Sequence, residues 1–303
     1  RRRTTAEGDR MTELIKTLPA TEWNAALSPT EAADATRALE SGQVLHMPRL
    51  AFTLSATEKR FLSPQWSDGK AKNVSYDPAA HQVRHTAAQG DDRAALAAMM
   101  DRYANAARTL VTSLCPGYAN ALQWGLTSFR PVSAANREAS IRKDDMRLHL
   151  DAFVSRPVQG RRLLRVFCNV NPDGAPRVWE LGEPFDAVVE RFRERIPSQL
   201  PGSGWLLETL HITKGRRSPY DHIMLGLHDQ AKLDENYQKN SPKTRVELPA
   251  STTWIVFTDL VMHAVLSGQY LLEQTFYLPP AAMQDEARAP LRRLEKIYQQ
   301  ALV

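Results

Sequence analysis

Between residues 142 and 278 the chain carries a series of short segments with alternating apolar residues, and this feature constrains the fold most. MRLHLDAF (146–153) and LLRVFCNVN (163–171) alternate as strands do. APRVWEL (175–181), TTWIVF (252–257) and QYLLEQTFYL (269–278) are further strand candidates. Between them EPFDAVVERFRERI (183–196) has helical period with Pro184 at its first turn. HIMLGLHD is ambiguous in period, and a polar helix is expected around 229–239. Strands and helices do not alternate regularly, which argues against a doubly wound sheet. The pattern predicts an α+β fold around a curved sheet or barrel.

The first half is mostly helical. PTEAADATRALESG (29–42) reads as a helix capped by Ser28, with Glu31 three residues on and Gly42 as its stop. QVLHMPRLAFTL (43–54) has the apolar runs of strands. An Ala-rich helix is expected from 91 to about 122, broken at Pro116-Gly117 and buttressing the core. The tail from Met283 reads as helical, with Pro290 interrupting it. No GxGxxG or Walker loop is present, and no run of eighteen apolar residues spans a bilayer. Two cysteines, Cys115 and Cys168, exclude a disulfide scaffold and fit a reducing compartment.

Thirty-nine basic against 34 acidic side chains give a net charge of +5. Residues 1–10 hold four of the arginines and read as an upstream remnant ahead of Met11. Residues 11–303 are then expected to form one catalytic domain, with an N-terminal helical buttress and a C-terminal helix. The remaining excess is too small to mark a nucleic-acid binder. Local density is greater: Arg142, Lys143, Arg147, Arg156, Arg161, Arg162 and Arg165 fall within 24 residues, and Lys214, Arg216 and Arg217 form a second patch. Such patches suit an anionic partner, although charge runs are commonly plain solvated surface.

The chemistry concentrates at His149-Leu150-Asp151. At positions i and i+2 of a strand an imidazole and a carboxylate emerge on one face, about 6.6 Å apart. With a second histidine on a neighbouring strand they would make two nitrogens and one oxygen on one face of an octahedron, which leaves open positions for a chelating cosubstrate and oxygen. The partner candidates are His211, His222, His228 and His263. His263 stands out, because it follows a late strand and a short linker and precedes another strand, 112 residues beyond Asp151. A cosubstrate with a distal carboxylate also needs a cation deep in the barrel, and the arginine fork suits it. The window about ten residues after His263 reads Leu272-Glu273-Gln274, with no cation. Arg165 lies 14 residues beyond Asp151, sharing a face with Phe167 and Asn169, and either meets a bound anion or forms a structural salt bridge. Arg147 is the second candidate, because alternation puts it on the face of His149 and Asp151.

With these residues assembled, RKDDMRLHLDAFVSRPVQGRRLLRVFCNVNPDGAPRVWELGEPF (142–185) resembles the core of the Kdo 3-hydroxylases, which act on 3-deoxy-D-manno-oct-2-ulosonic acid in the lipopolysaccharide inner core of Gram-negative bacteria. KNVSYDP (72–78), TSFRPV (127–132), HITKGRRSPYDHIMLGLHD (211–229) and STTWIVFTDLVMHAVLSGQYLLEQTFYL (251–278) extend the resemblance from about Met11 to Leu278. It implies a double-stranded β-helix (jelly-roll, cupin-like) core with flanking helices. It also implies Fe(II), 2-oxoglutarate and O2, with ascorbate keeping iron reduced. The implied product is Ko on Kdo-lipid A, with succinate and CO2. His149, Asp151 and His263 would be the metal ligands. Arg165, Asn169, Arg147 and Gln274 are the expected cosubstrate contacts, and Arg130, Arg161, Arg162, Lys214, Arg216 and Arg217 the expected substrate contacts. The enzyme would then be cytoplasmic and peripheral on the inner membrane. The rival readings are another 2-oxoglutarate-dependent hydroxylase of a small acid or lipid, and a carbohydrate-binding jelly roll without catalysis.

Overall fold

The structure, a computed structural model, describes residues 13–133, 140–200 and 202–303, so residues 1–10 lie outside it. Its strands are β1 (Ile15–Thr17), β2 (Val44–Met47), β3 (Val74–Asp77), β4 (Gln82–Arg84), β5 (Gln123–Arg130), β6 (Arg162–Asn169), β7 (Arg177–Leu181), β8 (Thr244–Leu248), β9 (Thr253–Phe257), β10 (His263–Ser267) and β11 (Leu271–Leu278). Its helices are α1 (Pro29–Glu40), α2 (Gly90–Leu114), α3 (Phe185–Phe192), α4 (Ser203–Thr209), α5 (Pro219–Leu233), α6 (Glu235–Asn240) and α7 (Pro290–Tyr298).

Two sheets build the jelly roll. The larger runs β1-β2-β9-β6-β11-β5-β3-β4, antiparallel except for β1 with β2, and the smaller runs β10-β7-β8. The segment expected as a strand over 146–153 is not a regular one. It lies beside β10 through His149 N–H to His263 O (2.9 Å), His263 N–H to His149 O (3.0 Å) and Val265 N–H to Asp145 O (2.8 Å). On its other edge the Gln238 side-chain amide accepts from Leu148 N–H and donates to Leu148 O, satisfying the backbone where a further strand would have paired. The segment thus adds a fourth, short edge to the smaller sheet.

Alternation places Trp179, Trp254, Phe167, Val246, Val256 and Val265 between the two sheets, where they close one end of the barrel. The outer face of the larger sheet, with Leu164, Val166, Cys168 and Leu272, packs against helices. Chief among these is α2, which lays Leu96, Met99, Met100, Tyr103, Ala107 and Leu110 onto the sheet at helical spacing. The Tyr103 hydroxyl donates to Val166 O, so the buried phenol is satisfied. At α1 the Ser28 and Glu31 side chains cap each other's backbone N–H, the reciprocal box expected from their spacing.

Several local expectations are corrected. Only Val44–Met47 of the 43–54 region is a strand. HIMLGLHD is helical within α5, and the polar helix around 229–239 divides into the end of α5 and the short α6, with Asp234 capping the second. Pro290 does not interrupt the tail. It starts α7, at a position where its missing N–H costs nothing.

Candidate metal centre

His149, Asp151 and His263 converge in the structure. One ligand atom from each lies within 4.8 Å of the others. His149 Nε2 is 3.7 Å from Asp151 Oδ1, and the two imidazole rings stand 4.6 Å apart. Two backbone facts produce this. His149 and Asp151 are two positions apart on one extended segment, and the His149–His263 bridge sets the second imidazole directly across from the first.

The side chains are also prepared as ligands. His149 Nδ1–H donates to Arg147 O (2.7 Å) and His263 Nδ1–H to Val261 O (2.8 Å), so both rings present Nε2 as acceptor. Trp179 stacks on the His263 ring at 5.1 Å and fixes its plane. Burial pushes both histidines below the ordinary imidazole range, so they are neutral, as metal ligation requires. Burial alone would raise the Asp151 carboxyl, but the Arg165 guanidinium beside it holds it well below the usual range. Two nitrogens and one charged oxygen are the donor set that a divalent iron site with open positions takes, and the residues fit such an ion.

The other candidate histidines, His211, His222 and His228, do not join this cluster. His228 stands edge-on to His149, with Nδ1 bound to Leu150 O and Nε2 near Arg142 O. His222 Nε2 is bound to Pro197 O. His211 is exposed.

Asp151 opens onto a cavity of about 570 Å³. Arg165 enters it from β6, with Nη2 3.2 Å from Asp151 Oδ2 and Nη1 2.9 Å from Glu273 Oε1. Arg130 enters from β5, 2.5 Å from Glu273 Oε2 and 3.5 Å from Asp145. Lys72 also contacts Asp145. Arg165 therefore forms salt bridges, yet the Nε atoms of both Arg165 and Arg130 are buried with no hydrogen-bond partner among the described residues. An unmade buried donor costs about 1–3 kcal/mol, and a ligand carboxylate would satisfy it.

Of the expected cosubstrate contacts, three point away from this cavity. The Arg147 guanidinium turns to Lys232 O and Glu235, because the irregular segment does not hold it on the face of His149. Asn169 ties the β6–β7 connection, donating to Ala175 O and Leu248 O. Gln274 accepts from the Thr127 hydroxyl and donates to Thr275 O, on the face of β11 opposite Glu273. Among the expected substrate contacts, Arg161 donates to Val158 O and Gln123 and lies over the Tyr277 ring. Arg162 is wholly buried and bidentate to Asp259, at 2.8 and 3.1 Å. Neither rims the mouth. Arg156 does line the cavity, while Lys214, Arg216 and Arg217 sit on a neighbouring loop.

Arg162 consequently carries a stability prediction. Removing one partner of a buried ion pair costs about 3–5 kcal/mol, so Arg162→Ala should lower the unfolding free energy by that order. Denaturant titration checks this. A loss below about 1 kcal/mol, typical of an exposed pair, would contradict it.

Glu273, Asp145 and Lys72 carry no role in the sequence reading. The signal for Glu273 was present, since it shares its face of β11 with Thr275, which sits directly opposite Arg165.

Comparison with known proteins bears on this site. Residues 22–301 match the family profile described as 3-deoxy-D-manno-oct-2-ulosonic acid (Kdo) hydroxylase. Among solved structures the chain is similar to the Kdo hydroxylase KdoO, a non-heme Fe(II) alpha-ketoglutarate-dependent dioxygenase. Its complex with alpha-ketoglutarate and Fe(III) is 44% identical, with a TM-score of 0.92, over 96% of this chain and 97% of that one. The cobalt(II) complex is 45% identical with a TM-score of 0.93, over 95% and 97% of the two chains. The complex with succinate and Fe(III) is 44% identical with a TM-score of 0.92, again over 95% and 97%. No curated protein matches significantly.

Proposed function

The chain belongs to the Kdo hydroxylase family, Fe(II)- and 2-oxoglutarate-dependent dioxygenases, and from that premise we propose that it hydroxylates C3 of Kdo in Kdo-lipid A. The product is Ko, and one 2-oxoglutarate and one O2 are consumed for each succinate and CO2 released. The observation that carries the reading is the convergence of His149, Asp151 and His263 at the edge of a cavity walled by arginines.

When bound, iron supplies oxygen activation coupled to cosubstrate decarboxylation. The protein supplies the rest. His149, Asp151 and His263 would hold the ion, and the carbonyl and Trp179 contacts of the two imidazoles keep them in register. Arg165 takes the distal carboxylate of 2-oxoglutarate, while Trp179, Trp254 and Phe167 seal the barrel below and exclude water.

Charge supports a second carboxylate in the same cavity. Its lining holds four cations, Lys72, Arg130, Arg156 and Arg165, against three anions, Asp145, Asp151 and Glu273. A divalent ion raises the net charge to about three positive units, and a dianionic keto acid with one sugar carboxylate brings it to zero. Arg130 lies on the opposite side of Glu273 from Arg165, where it is placed for the Kdo carboxylate. Residues 11–303 act as one catalytic unit in this reading. Ascorbate sustains turnover by keeping the metal reduced, and the buried unpaired thiols of Cys115 and Cys168 fit a cytoplasmic site of action.

The test is anaerobic loading with Fe(II), then addition of O2, 2-oxoglutarate and Kdo-lipid A. Mass spectrometry should find one added oxygen on the Kdo residue, with one succinate formed per product. Succinate formed without oxygenated Kdo, or faster turnover of another lipid or small acid, would overturn the proposed substrate.

A further inference from the structure

Ten large apolar side chains are exposed among the described residues, and five of them, Leu200, Trp205, Leu206, Leu210 and Ile212, fall within one thirteen-residue stretch. Trp205 is 60% exposed, Leu210 59% and Ile212 54%. The stretch contains α4, and Leu206 and Leu210 are four positions apart, which puts them on one side. Scattered exposed leucines are normal on a protein surface, but a cluster of this kind marks a contact.

The cluster borders cations that have no acidic partner. Arg156, Lys214, Arg216 and Arg217 make no ion pair among the described residues, whereas Arg130, Arg162 and Arg165 are all paired. Trp205, Leu200 and Val303 join Arg216, Arg217 and Gln159 around a groove of about 620 Å³. The loop that carries these cations is strapped to the mouth of the metal cavity. Lys214 N–H donates to Ser155 O (2.8 Å) and Arg217 Nη2 to Val154 O (2.7 Å), and Val154, Ser155 and Arg156 all line that cavity. No helix among the described residues is long and apolar enough to cross a membrane.

We infer that Leu200 and residues 202–217 form a docking element for an anionic lipid bilayer. Trp205, Leu206, Leu210 and Ile212 enter the interface while Lys214, Arg216 and Arg217 meet lipid phosphates. An apolar edge flanked by unpaired cations is complementary to an anionic bilayer surface, and an exposed Trp suits the headgroup boundary. The strap to residues 154–156 then holds the cavity mouth at headgroup level. The assignment concerns a surface away from the metal ligands. Only its consequence for turnover rests on the reading that the Kdo acted on is lipid-borne.

The test uses iron-loaded full-length protein and vesicles of phosphatidylethanolamine with phosphatidylglycerol, read by flotation. Wild type should float with the vesicles. Trp205→Ala with Leu206→Ser and Leu210→Ser should reduce partitioning more than tenfold. Neutralising Lys214, Arg216 and Arg217 to Gln should reduce it by roughly a hundredfold, from about 1 kcal/mol per charge at the surface, and only on anionic vesicles. The apolar variant should keep iron stoichiometry and turnover of a de-acylated, water-soluble Kdo saccharide while losing turnover of Kdo-lipid A in vesicles. Wild type that fails to float, or an apolar variant that floats as well as wild type, would overturn the inference. So would wild type dimerising by light scattering where the variant is a monomer, since the cluster would then cover a second copy. Turnover of neither Kdo substrate by wild type that still floats would instead remove the proposed substrate and leave docking in place.

Discussion

Asp151→Ala is expected to abolish turnover and iron binding together, while the protein stays folded. Asp151 supplies the only charged oxygen among the three converging donors, and the two neutral imidazoles that remain leave an ion without charge compensation. The fold should survive, because the neighbouring Arg165 keeps its 2.9 Å pair with Glu273 and the 149–263 backbone bridge does not involve the carboxylate. His263→Ala should behave alike, since the nearest spare histidine, His228, has both ring nitrogens near backbone carbonyls. Anaerobic titration with Fe(II) should show one ion per wild-type chain and none for either variant, with circular dichroism unchanged. Substantial activity in His263→Ala with iron still bound would sink the ligand assignment.

The segments of β6, β7, β9 and β11 were legible because alternation or a continuous apolar run survives in strands buried on one or both faces, whereas the short β8 (Thr244–Leu248) alternates too but was not read as a strand. The convergence of His149 with His263 was legible only as a possibility, for spacing says which face a side chain takes and not which strands become neighbours. What failed has a common cause. Alternation assigns a face but not a depth along the barrel, so Asn169 was grouped with Arg165 although it lies four residues away at the other end of the strand. Arg147 was misplaced because its segment is held by one bridge and a side-chain amide, not by a ladder on both edges. Arg161 and Arg162 looked like a loop rim, yet Arg162 opens β6 and turns inward to Asp259. Glu273 is not legible as part of the site because a cosubstrate carboxylate calls for a cation, whereas the charge of a buried site is set by its counterions as much as by its ligands. The apolar cluster of α4 was equally hidden, because a leucine-rich heptad reads the same whether it is buried or exposed.

Arg165→Ala is expected to raise the 2-oxoglutarate requirement about ten- to a hundredfold, from the 1.5–3 kcal/mol of a charge-assisted pair. Iron binding should change far less, because Asp151 keeps both oxygens and both imidazoles keep their carbonyl partners. Arg165→Lys should recover only part of the loss: an ammonium restores charge but not the fork, and Arg165 uses separate nitrogens for Asp151 and Glu273 while Nε stays unpaired. In the proposed arrangement Glu273 would be a positioning residue. It joins Arg165 to Arg130 through its two oxygens, and burial that would raise its pKa is more than offset by these two guanidiniums. Glu273→Gln should therefore loosen both arginines and raise the apparent constants for 2-oxoglutarate and for Kdo together, whereas Arg130→Ala should raise chiefly the one for Kdo. Steady-state kinetics varying each substrate in turn, with iron content measured in parallel, separates these outcomes. An unchanged 2-oxoglutarate requirement in Arg165→Ala, with an increased one in Arg130→Ala, would exchange the two roles. Equal effects from Gln274→Ala, whose amide faces Thr127 on the far side of β11, would mean that the strand as a whole had moved and that neither arginine had been tested as an anchor.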